Sequence, residues 1–167
     1  MPDMEASKYA ARQARCADEL QGSVRCRSLE KYLVAKNADG TRKNPMLWEL
    51  LAPTDTEGMS ESAIAEVMDY QLREAIMDYN RNFRFRKVNK NIDASTFQFI
   101  CLTLLGFPDS CQADERRYRV IDEIGGGYDI GTWRRAHGPE REVFRRLAEH
   151  LLEWFAEDDE EDDDVAA

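Results

Sequence analysis

The sequence is poor in the residues on which recognisable chemistry rests. Its 167 residues include two histidines, His137 and His150, and four cysteines, Cys16, Cys26, Cys101 and Cys111. The cysteines fall into two pairs with ten-residue spacing and no CxxC, so a zinc site would have to gather ligands from distant parts of the chain. Free thiols are expected, and neither a metal nor a cofactor. No GxSxG, HExxH or DxDxDG occurs. Gly125-Gly126-Gly127 lacks the Lys-Ser/Thr of a phosphate-binding loop and reads as a helix stop and hinge. Neither histidine has a cysteine, serine or carboxylate partner at a diagnostic spacing, so nucleophilic catalysis has no support and no catalytic residue is assigned. The expectation is a protein that is not an enzyme.

Long apolar runs are missing as well. The nearest, Phe97 to Phe107, falls short of the roughly 18 residues of a membrane span. The start, Met1-Pro-Asp-Met-Glu-Ala-Ser, lacks the basic residues and apolar stretch of a secretory signal. A soluble, cytoplasmic protein without a membrane partner is expected. Prolines number five and glycines nine, few enough that each acts as punctuation.

What the chain has in quantity is charge. The formal net charge is −10, and eight consecutive acids, Glu157, Asp158, Asp159, Glu160, Glu161, Asp162, Asp163 and Asp164, supply −8 of it. Residues 1–156 therefore hold 25 acidic against 23 basic side chains, a nearly neutral body. A block of like charges buries no apolar surface and repels itself, so residues 157–167 are expected as a disordered tail behind a single domain of 1–156, with an N-terminal helical subregion at 1–53 and core helices from 60 to 156.

Hydrophobic spacing within that body predicts an all-α bundle of about six to seven helices. A weakly amphipathic helix over 4–20 ends at Gly22. Ser28 caps a short helix to Lys36, and Asn44-Pro45 opens a third over 45–51, stopped by Pro53. Ser60 caps a long core-facing helix carrying Ile64, Val67, Met68, Leu72, Ala75, Ile76 and Tyr79. Ser95 opens a helix from Thr96 to Leu105 that is apolar nearly all round and belongs mid-core, with Gly106 and Pro108 ending it. Residues 111–124 follow as a charged amphipathic helix presenting Tyr118, Val120, Ile121 and Ile124. Gly138-Pro139 introduces the last helix, which should end near Phe155, because acids at a helix C-terminus oppose the macrodipole.

One segment breaks the helical pattern. Arg81-Asn-Phe-Arg-Phe-Arg-Lys-Val-Asn-Lys90 carries five positive charges and no negative one. As a short strand or extended segment near 82–88 it places Phe83 and Phe85 on one face and Arg84 and Arg86 on the other. Two readings follow. Arg81, Phe83, Arg84, Phe85, Arg86, Lys87 and Lys90 suit a single-stranded nucleic acid, with bases stacked on rings and phosphates paired to cations. Alternatively, the aromatics plug the core and the cations are the solvated face of a connector. The loop from Gly125 to His137 is similarly double: Tyr128, Trp133, Arg134 and Arg135 are residue types enriched at binding hot spots, or Tyr128 and Trp133 fold back and tie down the last helix.

Three functions compete. The first is an accessory or inhibitory interaction protein that meets a basic surface on a protein partner, its acidic tail imitating nucleic-acid charge, as small proteins of viral origin do by class analogy. The second is a single-strand binder whose tail covers 81–90. The third is a structural subunit of a homo-oligomer, a state the sequence leaves open.

Overall fold

A computed structural model describes residues 2–86, 90–107, 112–125, 128–135 and 137–165, with backbone alone at Pro2 and at 157–165. Within them lie eight helices and a two-stranded hairpin, the expected all-α architecture with its short strand. Helix α1 (Pro2–Ser23) begins with Asp3 and Glu5, acids that favour the positive end of the helix dipole. It packs along α8 (Pro139–Val165), and this pair forms one side of the bundle. The expected stop at Gly22 is displaced by one residue, and Gly22 has a different role. A Cβ there would stand 2.5 Å from the Tyr32 hydroxyl, so only glycine lets α2 (Leu29–Leu33) approach.

Ser28 caps α2 as expected, accepting from the Lys31 amide. The helix stops at Leu33, short of Lys36, because Lys36 pairs in an antiparallel bridge with Arg42 across the turn at 37–40. Asn44 stands before α3 (Pro45–Leu51) without capping it, and its side-chain amide donates instead to the Tyr32 carbonyl at 2.8 Å. The cap arrives from α1: the Glu19 carboxylate accepts the amides of Met46 and Leu47 at 3.2 and 3.0 Å. Burial raises the Glu19 carboxyl above its ordinary range, against the opposing pull of those two amides and of Arg15.

Helix α4 (Glu61–Met77) starts on Ser60, whose hydroxyl accepts from Ala63, and buries Ile64, Met68, Leu72, Ala75 and Ile76. After it, strands β1 (Phe83–Phe85) and β2 (Lys90–Ile92) pair antiparallel, with Phe83 opposite Ile92 and Phe85 opposite Lys90. Helix α5 (Ala94–Leu105) is capped by Asp93, which accepts from the Thr96 amide at 2.8 Å, and not by Ser95. Nor is it buried all round, since Phe99 is exposed. Its end is a Schellman turn: Gly106 sits at φ 92°, and the amides of Gly106 and Phe107 return to Thr103 and Leu102. Gln98 reaches back to the Met77 and Tyr79 carbonyls at the end of α4.

Helix α6 (Ala113–Ile124) buries Val120, Ile121 and Ile124 and leaves Tyr118 exposed, against expectation. The face that Tyr118 was to share is taken by Arg116 and Arg117, both 4% exposed. Arg116 donates to the carbonyls of Leu104, Val24 and Cys26. Arg117 forms a two-point pair with Glu140 at 2.8 and 3.1 Å and meets Asp114 at 3.2 Å. These are interior ties between segments, stronger than neutral hydrogen bonds because the donor is charged and, for Arg117, the acceptor as well. Cys16 and Cys101 are buried free thiols, Cys16 pushed up to about 12 by burial, and Cys26 is half-buried. Cys111 lies outside the described residues.

The short helix α7 (Ile130–Trp133) is capped by Asp129 and buries Trp133 completely. Helix α8 then buries Val143, Phe144, Leu147, Ala148, Leu151 and Leu152. It does not end at Phe155. Its backbone continues helical through Glu157–Asp164 to Val165, so the acidic run is an extension of the helix in place of the unstructured tail expected. Once seventeen residues are docked and ordered, propagation adds a hydrogen bond for each residue fixed and needs no new nucleus.

Candidate anion-binding groove

The alternation of the 81–90 segment is realised in the hairpin. Phe83 and Phe85 point inward, 9% and 0% exposed, while Arg84 and Arg86 are exposed. The inward rings continue an aromatic row: Tyr79 stacks on Phe97 at 4.2 Å between centroids, Phe97 meets Phe83 at 5.2 Å, Phe83 meets Phe85 at 4.9 Å, and Phe85 meets Trp133 at 6.2 Å. Phe83 and Phe85 thus anchor the hairpin to the core and offer no ring for a base to stack on. This corrects their assignment as nucleic-acid contacts. Arg81 lies apart, at a second cavity of about 220 Å³ with Arg146, His150 and Trp154. Lys90 is half-buried in β2, and Lys87 lies outside the described residues.

Trp133 is likewise core. Tyr128 is half-buried against its edge, with ring centroids 6.2 Å apart, and burial together with nearby Glu142 raises its phenol. The aromatics of the 125–137 loop therefore tie α8 to the bundle, and Trp133 has no surface to give a partner. Arg134 and Arg135 are exposed, with Arg134 3.8 Å from Asp114. The side chains of the acidic run are not among those described.

The exposed face of β1 meets α1 and the first turns of α8 in an open groove of about 550 Å³. Ala10, Gln13 and Ala14 of α1 form one wall, and the two alanines, a helical turn apart, leave the room. Arg84 and Arg86 enter from the hairpin, His137 from the preceding loop, and Arg141, Arg145 and Arg146 from α8. Five arginines from segments some sixty residues apart thus converge on one cleft.

Their engagements differ. Arg141 holds Asp18 at 2.7 Å, and Arg146 holds Glu149 at 2.8 Å and donates to the Tyr79 hydroxyl at 3.3 Å. Glu142 turns inward, one oxygen accepting the Arg86 amide at 3.0 Å, the other buried with no partner among the described residues. Arg86 and Arg145 are exposed, and neither guanidinium has an ion pair among the described residues. Gln13 donates to the Arg145 carbonyl at 3.3 Å and fixes α1 against this turn. Such a cluster has the planar two-point donors that carboxylates and phosphates take.

Arg145 and Arg146 line this groove together with Arg141 and Gln13, none of which has a sequence reading as a site residue. The available signal was Arg141 and Arg145, four apart and so neighbours on α8, flanking its apolar stripe. Among the described residues no group of three or more potential metal ligands gathers, and no helix is long and apolar enough to cross a membrane. No family model, no curated protein and no solved structure matches this chain.

Proposed function

We propose that this chain is a non-enzymatic interaction protein, accessory or inhibitory in character, that engages a basic surface on a protein partner through the acidic end of α8. One observation carries the reading: the acidic run continues a helix whose first part is anchored in the core. Eight acidic residues follow one another along a backbone with the roughly 1.5 Å rise of an α-helix. That line density is close to the one negative charge per about 1.7 Å of duplex DNA, so a surface built for a nucleic-acid backbone meets a comparable field.

The test is capture of partners from the native host by three proteins: the full chain, the chain lacking residues 157–167, and a full-length variant with the eight acids changed to Asn and Gln. Basic partners should be held by the first alone and released by salt. Partners retained equally by all three would overturn the reading.

Single-strand binding is the second reading, now resting on Arg84, Arg86 and the α8 arginines without the aromatics. Under it, the tail-deleted chain gains affinity for a labelled single strand at low salt.

A further inference from the structure

The groove described above has a cationic lining and no assigned occupant. The geometry points to a docking site for a carboxylate-rich segment, and to the acidic end of α8 from a second copy of this chain as that segment. The inference builds on the acidic arm as a partner-binding element and adds that the chain carries a receptor for it.

Three observations support the assignment. First, charge and donor type fit: Arg86 and Arg145 project into the groove without ion pairs among the described residues, and guanidinium groups pair carboxylates at two points. Of the two acids of the groove, Glu149 is held by Arg146, and Glu142 takes the Arg86 amide on one oxygen while its other oxygen is buried, so neither carboxylate neutralises the Arg86 or Arg145 guanidinium. Second, the groove presents no exposed phenylalanine, tyrosine or tryptophan, since Phe83 is 9% exposed and packed on Phe97 and Phe85, and its one exposed ring among the described residues is the His137 imidazole. Sequence-tolerant binding of single strands draws much of its affinity from successive bases stacking on a row of rings, which one imidazole does not make, so a peptide carboxylate is favoured over a nucleic acid. Third, the chain's own tail cannot fill its own groove. Arg145 and the acidic run lie on one continuous helix, and Glu157 is twelve residues beyond Arg145, roughly 18 Å along the axis.

A tail docked in a neighbour's groove is a heterologous contact, which leaves one groove and one tail free and so permits rings or open chains. The contact is made of exposed ion pairs that salt screens, so it should weaken as salt rises, against the opposing trend of the repulsion between the copies' net charges.

The experiment has two parts. A labelled synthetic peptide of residues 155–167 is titrated by fluorescence anisotropy into the tail-deleted chain at low and high salt. It should bind at low salt, and Arg145→Glu or Arg86→Glu in the receptor should weaken it by about tenfold or more, each variant checked for an unchanged circular dichroism spectrum. Then full-length Arg86→Glu/Arg145→Glu protein, which keeps its tail, is mixed with tail-deleted protein, which keeps its groove. Light scattering should find each alone monomeric, the mixture a one-to-one complex, and the parent chain larger with rising concentration.

Absence of peptide binding at low salt overturns the proposal, as does equal binding by the charge-reversed receptors. A labelled single strand that binds the groove where the peptide does not would hand the site to nucleic acid. Either failure leaves capture of a foreign basic partner by the tail untouched, so the two readings fall separately.

Discussion

Arg117 and Glu140 show how much of this protein rests on single charges placed out of sight. Their side chains are 5% and 0% exposed and meet at two points. Removing one partner strands the other in a low-dielectric interior, so Glu140→Ala should destabilise the protein by about 3–5 kcal/mol in urea unfolding, while Arg117→Met with Glu140→Leu should recover most of the loss. Glu19 makes a different prediction. Its folded carboxyl is raised, mainly by burial, above the ordinary unfolded value of about 4.3. A raised group stabilises the fold most below the unfolded value and loses that contribution as pH climbs through the folded one. Relative to Glu19→Gln, which does not titrate, the parent chain should therefore lose urea resistance as pH rises from about 4 toward neutrality. Neither residue stood out in the sequence, because a charged side chain 23 residues from its partner looks like any surface charge until the fold closes.

Helix starts and stops were the most legible features at the level of elements, since caps are local chemistry. Ser60, Ser28 and the Pro45 start all lie where hydroxyl, amide and ring geometry place them. The misplacements are equally local. Asp93 and Ser95 both cap well by type, and Asp93 prevails because its carboxylate reaches the Thr96 amide at 2.8 Å. Asp93→Ala should lower the thermal midpoint by about 2–4 °C, and Ser95→Ala should leave it in place. The hairpin was legible as alternation within 81–90, but its partner strand Lys90–Ile92 was not, because three residues of mixed character carry no period.

For the whole molecule, Leu152 is the last buried residue of α8 among the described side chains, with Trp154 and Phe155 packed against the edge of the core. Deleting residues 157–167 should leave the unfolding midpoint nearly unchanged or slightly raised, because like charges four apart and acids at a helix C-terminus both oppose the helix. Far-ultraviolet circular dichroism should lose only the terminal turns. A large loss of stability on truncation would show that the tail packs on the body.

By itself the sequence determined the periods, the caps and the charge inventory: an all-α chain, one cationic alternating segment, and eight acids in a row. Those properties depend on neighbours within a turn or a strand, so they are written locally. Only the tertiary structure decided which cations are interior and which face the groove. Arg116 and Arg117 go inside because helix-end carbonyls and Glu140 await them there. Arg84 and Arg86 stay outside because Phe83 and Phe85 take the inward face, and packing α1 against α8 beside the hairpin gathers them with Arg141, Arg145 and Arg146. Convergence of that kind depends on distances across the fold, which no spacing along the chain records.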